Sequence, residues 1–278
     1  MAAKVVEAGG YTLHLRCVAG VESCCYVDSV DVAFDLGCIV DNVVNKSNVF
    51  ITHGHTDHIS AFVAHAARRA LQQMKPAKYH VPAHLAPHLE SILQSTAAMQ
   101  GDERFAAQIV PMHAFDEVQI SSKWVVRAVP TTHRVPSLGY ILYQKRTKLR
   151  PEYALLEGRE IAALRLAGNE VTSTQLSPEV AYTGDTTIET FAPPGNAEDD
   201  TAVHDLLRVK VLITEVRYGI ICIISCVRYA ENDVMLAMQA TYADDKMTVE
   251  DAVSRGHMHL DQVYALASWR KDLHCSVV

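Results

Sequence analysis

A chain of 278 residues, 49% of them apolar, can bury the core of one large α/β unit or two modest domains, and none of its apolar runs approaches the roughly eighteen residues of a membrane-spanning helix. A net charge of −7 argues against a protein coated in basic surface for nucleic acid, while leaving room for a local basic strip. Seven cysteines, odd in number and without a Cys-x-x-Cys, point to reduced thiols in a cytosol-like compartment, cytoplasmic or nuclear, rather than to a disulfide framework. The N-terminal residues Met1 to Glu7 carry an acid early and no long apolar stretch, so no export signal is expected.

Residues 11–16 alternate in the manner of a strand, and Cys24–Val27 and Val32–Phe34 read as two more, joined by an Asp/Ser turn. Asp35-Leu36-Gly37 ends the third with a carboxylate and a flexible residue. Val49–Thr52 is a buried-type strand that delivers His53-Gly54-His55-Thr56-Asp57-His58 at its carboxyl end. Three imidazoles and a carboxylate in that order suit zinc and similar divalent ions, and they can be divided as two histidines to one ion and the Asp-His pair to a second. Chance supplies the pattern in roughly one such chain in five hundred. Helical spacing follows over 59–74 and again over 84–98, with Lys78–Val81 a short strand between. His80, His84 and His88 recur at four-residue spacing, but Pro82 and Pro87 break a shared helix, so solvated or capping roles are expected.

Two strands near 116–120 and 124–129 lead to His133, again just past a strand. Leu138–Tyr143 resumes β character and is followed by Lys145-Arg146-Thr147-Lys148-Leu149-Arg150, the one dense basic strip, which reads equally as a solvated hairpin end or a phosphate contact. Val180–Thr187 is a third strand-end with a ligand-type residue, Asp185, after a glycine that lets backbone approach closely. A loop spans 192–205, Val209–Thr214 is a buried strand ending at Glu215, and 256–268 turns into a helix after His257 and His259. Strand-ends at 53–58, 133 and 185 that each carry metal-type ligands are what a two-metal hydrolase requires.

Phe50–His58, Arg134-Val135-Pro136-Ser137 with Leu138-Gly139-Tyr140, Tyr182–Thr186 and Gly256–His259 together resemble the metallo-β-lactamase superfamily, and within it the short-form tRNase Z (ribonuclease Z) group, particularly its plant-like branch. The resemblance runs to about residue 270. It implies an α/β fold, a four-layer αβ/βα sandwich in a single domain over 1–278. The implied activity is a zinc-dependent hydrolase, an endonuclease of tRNA processing that cleaves precursor tRNA on the 3′ side of the discriminator base, with two zinc ions per subunit, usually as a homodimer and with no membrane association. It further implies that His53, His55 and His133 hold the first zinc, Asp57 and His58 the second, and that Asp185 bridges. Asp57 would also steer or deprotonate the attacking water, and Glu215 with His257 would protonate the leaving oxygen. Lys148, with Lys145 and Arg146 beside it, falls where the family has a basic loop that contacts RNA backbone near the scissile bond, although the family's Pro-Gly before the lysine is absent.

Two departures qualify the resemblance. The continuation expected directly after Glu215-Val216 reappears at Thr241–Asp245, so 217–240 read as an insertion, either a retained intron kept in frame or a genuine addition, expected to displace the loop that carries His257. The family's final strand and its His-Phe-Ser-x-Arg-Tyr motif, which completes the second zinc site, are expected to be truncated, with His274 lying ahead of that strand. No Gly/Pro-rich arm for gripping tRNA is apparent. The second functional reading is another hydrolase of the superfamily, a phosphodiesterase, arylsulfatase or thioester hydrolase; the third is an inactive, metal-binding product.

Overall fold

The computed structural model describes residues 2–18, 20–101, 106–191, 205–216, 220–229, 233–239, 248–259, 261–262 and 273–277. The strands β1 (Lys4–Ala8), β2 (Tyr11–Val18), β3 (Glu22–Val27), β4 (Val32–Phe34), β5 (Asn48–Phe50), β6 (Lys78–Pro82) and β7 (Gln108–Met112) form one sheet in that order. Pairing is antiparallel from β1 to β4 and parallel from β4 to β7. A second sheet holds β8 (Glu117–Gln119), β9 (Trp124–Thr131), β10 (Ser137–Leu149), β11 (Thr172–Asp185), β12 (Val211–Val216), β13 (Ile220–Tyr229), β14 (Asp233–Gln239) and β15 (Leu273–Val277), again side by side in chain order.

The alternation of β5 explains why its sequence is apolar throughout. Phe50 faces the second sheet, where it meets Tyr140 at a ring separation of 5.1 Å, while Phe34 stacks on Tyr182 at 5.2 Å. Val49 and Ile51 point the other way, into a layer with Phe62, Tyr79, Leu89 and Leu93. A parallel strand covered on both faces has no polar side to show. The covering helices are α1 (Thr56–Ile59), α2 (Phe62–Leu71) and α3 (Ala86–Met99). On α2 the buried residues are Phe62, His65, Ala66 and Arg69, the i, i+3, i+4, i+7 stripe of a one-sided helix. The single helix read over 59–74 is therefore two, parted where Ala61 N–H bonds back to Leu36.

His80 corrects a sequence expectation. It is neither solvated nor a cap but 1% exposed and stacked on Phe50 at 4.3 Å, whereas His84 and His88 are exposed. Burial, helped by Lys78, lowers its pKa to about 4, and burial likewise brings His65, bonded to the Tyr79 hydroxyl, to about 4. Because the unfolded chain takes up these protons near pH 6.5 and the folded chain only near 4, stability falls as pH drops through that window, by up to about 3 kcal/mol per histidine. Urea midpoints measured between pH 7.5 and 4.5 with a chelator present should show this loss, and it should shrink in His65→Gln; an unchanged loss in the variant would assign the acid sensitivity elsewhere.

Segments 220–229 and 233–239, inside the stretch read as inserted, form the antiparallel hairpin β13–β14, which extends the second sheet beyond β12. The last described residues form the short strand β15, parallel to β14, and His274 lies within it rather than ahead of a strand. The resumed motif at 241–245 and the loop at 192–204 lie outside the described residues, as does most of the helix expected up to 268.

Candidate metal centre

The carboxyl ends of β5, β9, β11 and β12 meet at one edge of the two sheets. The chain leaves β5 through Thr52, His53 and the turn that opens α1, so His53, His55, Asp57 and His58 are gathered locally. His133 enters from the end of β9, and Asp185 and Glu215 sit directly opposite each other at the ends of the parallel pair β11–β12. Gly184, in the left-handed region at φ 59°, brings β11 so near Thr52 that a Cβ would lie 2.6 Å from its Oγ1.

Three of these imidazoles, His53, His58 and His133, are oriented by a partner on the nitrogen away from the centre. His58 Nδ1 is 2.7 Å from Asp35 Oδ2, and His53 Nδ1 is 2.9 Å from Thr52 Oγ1, which itself donates to Asp35. His133 Nδ1 donates to the Gly256 carbonyl at 2.7 Å. That leaves Nε2 of His53, His58 and His133 turned inward, the arrangement in which an outer carboxylate or carbonyl fixes a ligand's tautomer. His55 Nδ1 completes the set at 3.0 Å from His53 Nε2 and 3.3 Å from His133 Nε2. Asp35, at φ 56°, was noted in the sequence only as a strand-ending carboxylate; its role as the hub behind two histidines depends on a contact 23 residues away in the chain.

Asp185 is 3% exposed, and its two oxygens divide between the two groups. Oδ2 lies 3.8 Å from Nε2 of both His53 and His133, and Oδ1 lies 3.6 Å from His58 Nε2. Asp57 Oδ2 and Glu215 Oε2 approach the same His58 nitrogen at 3.6 and 3.9 Å. The ligand-type atoms of His53, His55, His133 and Asp185 lie within 4.8 Å of one another, as do those of His58, Asp185 and Glu215. His58 Nε2 and Asp185 Oδ1 are buried without a hydrogen-bond partner, a cost that a cation between them would remove. Burial, reinforced by His58, lowers the His53 pKa to about 2, and burial lowers that of His133, so both imidazoles are neutral at physiological pH. Burial pulls His58 down, but Asp35, Asp185 and Glu215 together raise it well above an ordinary histidine. Carboxylates that draw a proton there would draw a divalent ion equally. This donor set fits a divalent metal centre.

The centre opens on a cavity of about 600 Å3 whose wall includes Asp57, Glu215, His257 and the exposed guanidinium side chains of Arg134 and Arg255. His257 is held there because Gly256, at φ 75°, packs so tightly that a Cβ would lie 2.7 Å from His133 Nδ1. The expectation that 217–240 displace this loop is thus corrected: the added hairpin extends the sheet sideways from β12, and the loop docks independently on His133. Glu215 and His257 line the same cavity without touching. His257 Nε2 is 3.8 Å from Asp185 Oδ2, whereas Glu215 accepts from Ser23 and faces His58. Burial, then the neighbouring Asp185, raises the Glu215 pKa, while His58 holds Asp185 ionised against its own burial.

The basic strip lies elsewhere. It is not a loop but part of β10, where Lys145 donates to Gln119 at 2.8 Å and Arg146 pairs with buried Glu179 at 2.8 Å. Lys148 is opposite Ser173, twelve residues from Asp185 along β11, or about 40 Å at the usual rise. Within one chain, the strip therefore does not adjoin the metal centre. Beyond Gln144 and before Pro178, β10 and β11 pair with each other alone and form a ribbon that carries α4 (Gly158–Leu166), with Leu155 and Leu166 99% and 91% exposed.

Comparison with known proteins gives these residues a lineage. No protein-family profile matches the sequence. The chloroplastic tRNase Z of Arabidopsis thaliana is 33% identical over 266 residues, 96% of this chain and 66% of that protein, so the chain spans just under two thirds of that relative's length. A second tRNase Z of the same plant is 30% identical over 260 residues, 94% of this chain and 81% of its own. The chain belongs to the tRNase Z (ribonuclease Z) family. Its two mixed sheets, with helices packed outside them, fit the αβ/βα sandwich that the resemblance implies. Among solved structures, human tRNase Z, short form, aligns with 99% of this chain and 88% of its own at TM-score 0.47 and 15% identity. No helix among the described residues is long and apolar enough to cross a membrane.

Proposed function

We propose that the chain is a single metallo-β-lactamase-like domain that acts as a zinc-dependent endoribonuclease, cutting precursor tRNA after the discriminator base and leaving a 3′-hydroxyl. The observation that carries this reading, within the family, is the carboxylate of Asp185 shared between two groups of ligand atoms. His53, His55 and His133 would hold one zinc, Asp57 and His58 the other, with Asp185 between them. When bound, such a pair polarises a phosphoryl oxygen and supplies a nucleophilic water. Asp57, on the cavity wall, orients that water and accepts its proton. His257 donates to the departing 3′ oxygen. Burial keeps its imidazole neutral in the free protein, and an approaching phosphodiester, as an opposite charge, favours the charged form, so the acid is loaded by substrate. Arg134 and Arg255 are positioned to meet phosphates at the mouth. The protein would work in the cytoplasm or nucleus as a homodimer.

Incubation of the zinc-loaded protein with a labelled precursor tRNA and, separately, with bis(p-nitrophenyl) phosphate tests the reading. Release of a 3′ trailer at the discriminator base is expected. Turnover of the small ester without precursor cleavage would instead favour a general phosphodiesterase, and turnover of neither a non-enzymatic protein.

The two ions should differ in affinity. The first group offers three histidines and a carboxylate; the second has His58, the shared Asp185, Asp57 and a Glu215 whose carboxyl must first lose a proton. Native mass spectrometry during chelator titration should find one ion per chain lost well before the other, and simultaneous loss would contradict the ranking.

A further inference from the structure

Glu215 is not placed as a carboxylate that orients His257. Its Oε2 accepts from Ser23 Oγ at 3.0 Å and lies 3.9 Å from His58 Nε2. His257 Nδ1, the nitrogen such a carboxylate would hold, is buried without a hydrogen-bond partner among the described residues. The parallel register of β11 and β12 sets Glu215 opposite Asp185 instead, and just before that pair Thr183 Oγ1 donates to Thr214 Oγ1 at 2.8 Å in a fully buried contact. Two buried carboxylates therefore end neighbouring strands side by side, which is costly unless a cation lies between them. A third joins them. His58 Nε2 is 3.6 Å from Asp57 Oδ2, 3.6 Å from Asp185 Oδ1 and 3.9 Å from Glu215 Oε2. Two donors on one tetrahedral zinc ion, with bonds of about 2.1 Å, sit roughly 3.4 Å apart. The observed intervals are those of an open site that a single ion draws together.

We propose that Glu215 is a ligand of the second ion, completing a site of Asp57, His58, Asp185 and Glu215, and that Ser23 is the residue that positions it. Resting on the two-ion reading above, this assignment changes the part Glu215 plays: it holds metal rather than relaying a proton through His257. One lone pair of Oε2 is taken by the Ser23 hydroxyl, and the oxygen keeps a second for the ion. Ser23 is 0% exposed, and its carbonyl accepts from Gly37 N–H at 2.8 Å, so the hydroxyl is fixed behind Glu215 as Asp35 is fixed behind His58. The two atoms of this group left without partners, His58 Nε2 and Asp185 Oδ1, are the two that face one another at 3.6 Å beside Glu215. Three carboxylates and one imidazole form a harder donor set than the three histidines and one carboxylate of the first group, so the two sites are chemically unequal and only the second depends on Glu215.

The test reads metal binding rather than turnover. Metal-free wild type and E215Q are titrated with Co2+, bound ions are counted by native mass spectrometry, and the visible absorption of bound Co2+ is recorded at each equivalent, with circular dichroism to verify the fold. The wild type should take up two ions. E215Q should take up the first with unchanged affinity and absorption and bind the second at least about a hundredfold more weakly. S23A keeps the carboxylate and removes the hydrogen bond that orients it; it should weaken the second ion alone by about tenfold, and it decides the matter if E215Q does not fold. Wild-type affinity for the second ion in the folded variant overturns the proposal, as does equal weakening of both ions or a wild type that binds only one. Cleavage of precursor tRNA by the wild type is scored separately. Cleavage by the wild type, with both ions retained in E215Q, overturns the ligand assignment alone, and selective loss of the second ion in E215Q without cleavage by the wild type overturns the nuclease reading alone.

Discussion

Asp185→Asn should reduce precursor-tRNA cleavage by about a thousandfold or more, a loss of roughly 4 kcal/mol of transition-state stabilisation, while the chain stays folded. The replacement keeps the shape and removes the charge. Asp185 alone offers an oxygen to each group, Oδ2 to His53 and His133 and Oδ1 to His58, so its neutral analogue weakens both ion sites together and leaves no anion to set their separation. Metal content should fall in parallel with activity. Single-turnover assays at saturating zinc, with circular dichroism to verify the fold, distinguish this from unfolding. Activity within tenfold of the wild type would mean that Asp185 is a structural carboxylate and that the two groups are not linked through it.

Gly37→Ala should have the largest effect of any single methyl group. A Cβ at Gly37 would lie 1.6 Å from the Asp57 carbonyl oxygen and 2.5 Å from the Ser23 nitrogen, both backbone atoms in buried structure. The segment cannot shift freely: Leu36 N–H bonds to the His58 carbonyl at 2.7 Å, Gly37 N–H to the Ser23 carbonyl at 2.8 Å, and Ser60 donates to the Gly37 carbonyl at 2.8 Å. Overpacking of this sort costs about 3 kcal/mol, and its relief moves the turn that carries Asp57 and His58. A displacement near 1 Å can lower the rate about a hundredfold in the molecules that remain folded. The denaturation midpoint and kcat at a temperature where the variant is folded separate the two effects. Gly158→Ala, at the start of α4 with nothing within 4 Å of the new methyl, is the control and should leave activity within about twofold of the wild type. Equal behaviour of the two variants would refute the packing argument.

What could be read from the chain and what could not separate along sequence distance. His53, His55, Asp57 and His58 were legible because one turn after one buried strand carries them, and the strand announces itself by the unbroken apolar run Val49-Phe50-Ile51. Asp185 and His133 were legible as ligand-type residues at strand ends, a position that points at a common edge in an α/β fold. The basic strip misled for a related reason. Its composition suits a loop as well as a strand, and only the pairing of β10 with β11 through Lys148 carries it away from the metals. The ribbon helix α4, which buries none of its residues, offered no amphipathic stripe to detect, although Glu157 and Glu160 supply its capping box.

The sequence by itself determined the family and the candidate ligand types of the 53–58 turn, because the turn's residues lie together in the chain and the family's motifs are retained. The tertiary structure alone decided the rest. Asp35 stands behind His58, Gly256 holds His133, Glu215 turns to His58 and Ser23 rather than to His257, and Glu179 fastens Arg146 on β10. Each of these joins atoms from different strands or loops, and a buried polar group takes whichever partner the sheet register brings within hydrogen-bond reach.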